Sequence, residues 1–165
     1  YKGNNEYQID ALSFGPDGWL YFHFPPGDSL IEGSDGKKIQ VLRTGGIARC
    51  KPDGTKLELY STGIRQAQGN ISFDQHGNLF SVDQQISSGA KPTGSRLLHL
   101  TEGFDFGWHL AHHSPCCDPD FLRILVEGDD APYSAINFSK VHATSSHAYT
   151  DNKLPEKFKN LLWFW

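Results

Sequence analysis

The 165-residue sequence contains no methionine, few basic residues and no long apolar run. Its formal net charge is −4 at pH 7, with 15 Lys and Arg against 19 Asp and Glu. Nucleic-acid-binding surfaces need clustered Lys and Arg, so no nucleic-acid partner is expected. A membrane-spanning helix needs about 20 consecutive apolar residues, and the sequence offers no such segment.

Cysteine is also scarce, because the chain has only Cys50, Cys116 and Cys117. The odd count argues against a complete disulfide framework, and adjacent cysteines such as Cys116 and Cys117 rarely bridge each other. Cys50 is predicted to be a buried strand thiol, with a bridge to the later pair as the alternative. A C-x-x-C-H haem motif, a G-x-S-x-G elbow, an H-E-x-x-H helix and a phosphate loop are all lacking from the sequence.

Glycine, proline and aromatic residues are plentiful, and they fall into a repeat. The run SFGPDGWLY at residues 13–21 resembles SFDQHGNLF at residues 72–80, and residues 46–54 resemble residues 95–103. In each of the first two, short β-rich segments flank a turn that closes on Gly. No segment has convincing helical periodicity. The sequence therefore predicts an all-β fold built from internal repeats, as in a β-propeller.

The predicted strands and turns follow this repeat along the chain. Hairpins are expected at residues 11–24 and 45–62, a short strand at residues 39–43, and a long loop at residues 25–38. Residues 63–69 are expected to link the two repeats, and residues 161–165 to form an apolar strand. A chain ending in such a strand would leave an unpaired hydrophobic edge, so we expect the natural protein to continue beyond Trp165. Residues 1–165 are then a fragment of a single propeller domain, a partial β-propeller of about two to three blades.

Four segments together resemble a known family. Residues 12–21 are similar to its φ-x-F-G-P-D-G-x-L-Y hairpin, and residues 63–74 to its G-x-R-N-P-Q-G-φ-x-F-D element. Residues 97–108 resemble its closing φ-G-W run, and residues 142–155 its H-A-P-S segment. In this order, the segments resemble the six-bladed glucose/sorbosone dehydrogenase-like propellers. The sequence of the first hairpin is most similar to that of the membrane-bound dehydrogenase-like branch, whose members often carry a fused cytochrome domain.

The resemblance implies a periplasmic or secreted protein related to sugar and alcohol dehydrogenases, oxidoreductases that use pyrroloquinoline quinone and calcium. Carried over residue by residue, it assigns Arg65, Gln66 and His142 to cofactor or ligand binding and Asp83 to the metal site. Arg65 matches the arginine of the family motif, whereas the asparagine that follows it in the family is replaced by Gln66. Tyr7 occupies the place of the family's general base, a His, and a phenol with its pKa near 10 is a poor base at neutral pH. The calcium loop is reduced to Asp83 followed by two Gln residues, which supplies few of the oxygen ligands that calcium needs.

A second group of candidate ligands lies after residue 108. His109, His112, His113 and Cys116 carry the imidazole and thiol groups that suit zinc or copper, although their spacing fits no established metal motif. The alternative is a solvent-exposed loop.

Two main functional hypotheses follow from the sequence. The first is the propeller part of an extracytoplasmic sugar or alcohol dehydrogenase, with a cytochrome domain elsewhere in the natural chain. The alternative is a non-catalytic propeller that recognises carbohydrate or protein. In both, Arg65 holds a polar ligand, unless it forms an ion pair with a neighbouring carboxylate such as Asp83.

Overall fold

A computed structural model describes residues 9–84 and 95–109, together with the backbone of three short strands further along the chain. The described residues form strands and turns and contain no helix, which confirms the all-β prediction. The strands are β1 (Asp10–Phe14), β2 (Leu20–Phe24), β3 (Ser29–Glu32), β4 (Lys38–Val41), β5 (Gly45–Cys50), β6 (Glu58–Ile64), β7 (Ala67–Phe73), β8 (Leu79–Gln84), β9 (Ser95–Leu100), β10 (Ile136–Asn137), β11 (Ser146–Ala148) and β12 (Leu162–Phe164). No helix within these ranges has the length and apolar character that crossing a membrane requires.

Two four-stranded antiparallel sheets dominate the structure. Sheet 1 has the order β1-β2-β5-β6, and sheet 2 has the order β10-β9-β8-β7. Within each sheet, the strands that are neighbours in the sheet follow one another along the chain, apart from an insertion in sheet 1. The sequence repeat therefore corresponds to two copies of one meander, in which β1, β2 and β5 match β7, β8 and β9.

The glycines that close the repeated turns explain why this match was visible in the sequence. Gly18 and Gly77 close equivalent turns with φ of 73° and 82°, a conformation that costs residues with a Cβ atom free energy. Each turn has the same pair of backbone hydrogen bonds, such as Gly15 N to Trp19 O at 2.8 Å and Asp74 N to Asn78 O at 2.9 Å. The prediction of a shared hairpin is confirmed.

The insertion in sheet 1 is a separate hairpin of β3 and β4. The prediction of a long loop at residues 25–38 is wrong, because β3 lies within them. Ile31 and Val41 of this hairpin are buried against Phe22 and Phe24 of β2. The hairpin thus covers one face of sheet 1, and Cys50 lies beneath it as a buried free thiol, as predicted.

The main core lies between the two sheets. It combines residues from sheet 1, sheet 2 and the segment after β9: Ala11, Tyr21, Ile47, Ile64, Ala67, Ile71, Leu79, Leu98, Leu100 and Phe106. Burial of apolar surface stabilises the fold by about 25 cal/mol per Å², so this interface holds the two meanders face to face.

The segment at residues 103–108, here called the closing segment, joins the sheets a second time. It runs parallel to β6, with an isolated bridge between Thr62 and Asp105. Thr62 N donates to Phe104 O at 3.0 Å, and Phe106 N donates to Thr62 O at 2.9 Å. The edge of β6 is therefore paired, although its hydrogen-bonding partner comes from beyond sheet 2.

The passage from sheet 1 to sheet 2 is shorter than the sequence predicted. Residues 63–69 were expected to be a link, but β6 continues to Ile64 and β7 begins at Ala67. Only Arg65 and Gln66 lie between the two strands. This tight passage places Arg65 inside the protein.

Candidate binding site

Arg65 lies in the passage between β6 and β7, and only 4% of its surface is exposed. Its Nη1 atom donates to Gln66 Oε1 and to the carbonyl of Gln84, both at 3.2 Å. The two glutamines are half-buried. We call the group of Arg65, Gln66, Asp83, Gln84 and Arg96 the Arg65 corner.

Asp83 lies in the same corner but pairs with a different arginine. Its Oδ2 atom accepts from Arg96 Nε and lies 2.8 Å from Arg96 Nη2. The exposed fractions of these side chains are 0% and 1%. The alternative that Arg65 forms an ion pair with Asp83 is wrong, because register places Asp83 directly opposite Arg96 on β9.

The Asp83–Arg96 pair also fixes the backbone around Arg65. Asp83 Oδ1 accepts from Gln66 N at 2.7 Å. On the other side, Arg96 donates to Phe106 O at 2.7 Å and to Gly63 O at 2.8 Å. A buried ion pair is costly unless further hydrogen bonds satisfy its remaining atoms, and here they are supplied by the chain on both sides of Arg65.

Thr44 completes this support from sheet 1. Its hydroxyl accepts from Gly63 N at 3.1 Å and donates to Trp108 O at 2.6 Å. Gly63 has φ of 76°, and a Cβ atom there would collide with the backbone of Phe106 and Gly107. The corner is therefore held from β6, β8, β9 and the closing segment.

The guanidinium of Arg65 has no comparable set of partners. Among the described residues, acceptors reach Nη1 alone, and the buried Nε atom has no hydrogen-bond partner. No described carboxylate forms an ion pair with Arg65. An unpaired buried charge costs several kcal/mol, and the described residues supply no carboxylate that offsets the charge of Arg65.

Asp83 is poorly arranged to be the calcium ligand that the resemblance implies. Its two carboxylate oxygens already accept hydrogen bonds from Gln66 and Arg96. Calcium requires about six to eight oxygen ligands, and the described residues contain no cluster of metal-ligating side chains. The residues of the corner therefore do not fit a calcium ion.

The remaining predicted ligands separate into one described residue and several others. His109 directly follows the closing segment, and its Nε2 atom lies 2.9 Å from Asp105 Oδ2. Asp105 in turn accepts from Gly107 N at 2.8 Å, so it caps its own turn. His112, His113, Cys116 and His142 lie outside the described residues, as does Tyr7.

A second charged cluster lies at the other end of the interface between the sheets. Arg49 lies 4.8 Å from the ring centre of Trp19 and 5.3 Å from that of Tyr60. It forms ion pairs with Glu58 at 2.9 Å and Glu102 at 3.0 Å. Because Arg49 is already paired with two carboxylates and two rings, it stabilises the interface and offers no free charge to a ligand.

Tyr21 belongs to this cluster and its ionisation is suppressed. Burial raises its pKa to about 12; the Arg49 hydrogen bond opposes the change, while hydrogen bonding to Asp17 reinforces it. The hydroxyl donates to Asp17 Oδ2 at 2.8 Å. Tyr21 is therefore a neutral hydrogen-bond donor over the physiological range.

Sequence analysis missed Arg96 and Thr44, the two side chains that organise the corner. Arg96 follows a loop and opens a predicted strand, and Asp83 ends the preceding strand. Once the two strands are placed next to each other, opposite charges at their adjoining ends predict the pair. Thr44 carries no such signal, because its two partners are backbone atoms distant in sequence.

Comparison of the chain with protein-family models, with curated proteins and with solved structures finds no match.

Proposed function

We propose that the chain is part of an extracytoplasmic β-propeller that recognises a carbohydrate at the Arg65 corner. The observation that carries the proposal is the buried Arg65 guanidinium, which lacks a carboxylate partner in the described part of the chain. Polar ligands commonly occupy sites where a few preorganised donors converge. Arg65 and the two half-buried glutamines would supply such donors and acceptors for sugar hydroxyl groups.

The architecture supports the propeller. Two meanders stack face to face around one core, and the chain passes directly from the last strand of the first to the first strand of the second. Phe14 on β1 is opposite Leu20, on the face of sheet 1 that also carries the β3–β4 hairpin, and it is 65% exposed. In a radial array, a neighbouring blade would cover the part of this face that the hairpin leaves exposed.

Recognition without catalysis is favoured over oxidation by the state of Asp83. The resemblance to glucose/sorbosone dehydrogenase-like proteins calls for a calcium ligand here, but Asp83 is committed to Arg96 and Gln66. The same resemblance places Tyr7 where the general base would be His.

A binding panel tests the proposal. Isothermal titration of the full chain with neutral and acidic monosaccharides should detect binding, and Arg65→Gln should weaken it. The matched variant Arg43→Gln removes a guanidinium from the connection between β4 and β5 and should bind as the wild type does. If none of the sugars binds, the proposal is wrong.

Quinone-dependent sugar oxidation is the second candidate function, favoured by the match of Arg65 to the family's quinone-contacting arginine. Dye reduction by the full chain with pyrroloquinoline quinone, calcium and common sugars would support it. If the protein recognises carbohydrate without oxidising it, we expect the wild type to show no dye reduction in this assay. Activity created by Tyr7→His would indicate a dehydrogenase site that has lost its base.

A further inference from the structure

We infer that the ligand held at the Arg65 corner bears a carboxylate, and that the carbohydrate recognised there is an acidic sugar. The inference rests on the proposed function and adds the chemical class of the ligand. It begins from the difference between the two buried arginines of the corner.

Arg96 shows what a fully partnered guanidinium requires in this fold. Its Nε donates to the Asp83 carboxylate, which Nη2 also contacts at 2.8 Å. Its Nη1 and Nη2 atoms donate further to two backbone carbonyls. Charge and hydrogen-bonding capacity are both satisfied within the described residues.

Arg65 repeats only the carbonyl part of this arrangement. Nη1 donates to Gln66 Oε1 and Gln84 O, which leaves the side of the guanidinium formed by Nε and Nη2 without acceptors among the described residues. On Arg96, the equivalent side binds the Asp83 carboxylate. A guanidinium side with two parallel N–H groups matches the two oxygens of a carboxylate.

The surrounding residues strengthen the preference for an anion over a neutral hydroxyl group. Asp83 is the other charged side chain that contacts Gln66, and Arg96 already neutralises it. An arginine that is 4% exposed has lost most of its hydration, and a neutral ligand would leave its charge uncompensated. A carboxylate supplies both the missing acceptors and the missing charge.

Two kinds of ligand carry this chemistry. One is a uronic acid, in which a carboxylate replaces the terminal hydroxymethyl group of a neutral sugar. The other is a carboxylated quinone. We commit to the acidic sugar, because the described residues contain no group of side chains that could hold the metal ion that lies beside the quinone in the family that this chain resembles.

Galacturonate and galactose are the matched probes, since they differ only at the carboxylate carbon. In calorimetric titrations of the full chain, galacturonate should bind about 10-fold to 100-fold more tightly, the range expected for a charge-assisted hydrogen bond of about 1.5–3 kcal/mol. Arg65→Gln should abolish this preference. Arg65→Lys keeps the charge but loses the two-pronged geometry, so it should retain only part of the preference. Arg43→Gln should retain all of it.

Thermal unfolding provides a second readout, part of which can be measured without any ligand. Galacturonate in excess should raise the Tm of the wild type by mass action, and it should leave the Tm of Arg65→Met unchanged. Without ligand, Arg65→Met should have a Tm at least as high as that of the wild type, because the substitution removes an unpaired buried charge. A lower Tm for unliganded Arg65→Met would contradict the inference that the charge is uncompensated.

The outcomes distinguish the inference from the proposed function. Equal affinity for galactose and galacturonate overturns the inference and leaves carbohydrate recognition intact. Binding of pyrroloquinoline quinone alone, lost in Arg65→Gln, supports a carboxylate site but overturns carbohydrate recognition. Binding of none of the three probes overturns both.

Discussion

Arg65 and Arg96 illustrate at the residue scale how two similar side chains acquire different roles. Both are buried in the same corner, but the register of β8 and β9 places Asp83 opposite Arg96 only. Arg96 therefore stabilises the fold, whereas Arg65 has no carboxylate partner among the described residues. The sequence singled out both Arg65 and Asp83, and the structure places them in one corner, but which arginine pairs with Asp83 depends on strand register, which local sequence patterns did not specify.

Removal of the Asp83 charge should be strongly destabilising. Asp83→Asn leaves Arg96 buried without its counter-ion, and breaking a buried ion pair typically costs about 3–5 kcal/mol. Urea unfolding monitored by tryptophan fluorescence measures the change in the free energy of unfolding.

Glu102→Gln is the matched control, because it breaks an ion pair whose acidic partner is 61% exposed. Surface ion pairs contribute about 0–1 kcal/mol, so this variant should remain close to the wild type. Equal losses in the two variants would show that Asp83 is not a structural residue.

Lys56 provides a test of backbone strain. It has φ of 54°, where a residue with a Cβ atom costs about 1–2 kcal/mol, and its side chain is exposed. Lys56→Gly should therefore raise the free energy of unfolding by up to about 1 kcal/mol after the added chain entropy of Gly is deducted. Chemical denaturation tests this, with Lys37→Gly as a control expected to destabilise. A loss of stability in Lys56→Gly would show that the side chain contributes more than the strain costs.

At the scale of elements, the turns and strands that carry Gly and alternating apolar residues were predictable. The β3–β4 hairpin was not, because its strands are short and lie among Pro, Gly, Asp and Ser residues. Their burial depends on packing against β2 and β5, and local propensity does not encode that contact. The closing segment was recognised as a motif, but its parallel pairing with β6 is a long-range contact that no local pattern reveals.

Gly63 is the residue of β6 at which the backbone of the closing segment approaches most tightly. Gly63→Ala places a Cβ atom against Asp105 Oδ1 and the backbone of Phe106 and Gly107, in addition to the cost of φ at 76°. We expect a loss of about 3 kcal/mol or more, as strain and overpacking add. Equilibrium unfolding in urea measures it.

Gly36→Ala isolates the backbone part of this effect. Gly36 has φ of 79°, but no atom lies within 4 Å of an added Cβ. This variant should lose only about 1–2 kcal/mol. Comparable losses at the two glycines would contradict the tight approach of the closing segment.

At the scale of the whole molecule, Tyr21 links stability to alkaline pH. It packs edge-on against Tyr60 and Phe73, so it lies in the interface between the sheets. Burial raises its pKa from 10.0 to about 12. Its stabilising contribution is therefore complete below pH 10 and is lost as pH rises towards about 12.

Unfolding in urea at several alkaline pH values tests this link. The wild type should lose stability steeply between pH 10 and 12, and Tyr21→Phe should lose less over the same interval. Tyr60→Phe serves as the comparison, because burial raises the pKa of Tyr60 as well. Identical pH profiles for wild type and Tyr21→Phe would show that Tyr21 ionises freely in the folded protein.

The β3–β4 hairpin has a consequence for the order in which the chain folds. Strand β2 ends at Phe24 and its partner β5 begins at Gly45, so pairing them closes a loop across the whole insertion. A hairpin forms in about 1–10 μs from local contacts, before distant strands usually meet. Once formed, it brings the ends of the insertion together and lowers the entropy lost when β5 finds β2. Sheet 1 would then assemble around a hairpin that is not one of its own strands, and formation of that hairpin would set the folding rate of the first repeat.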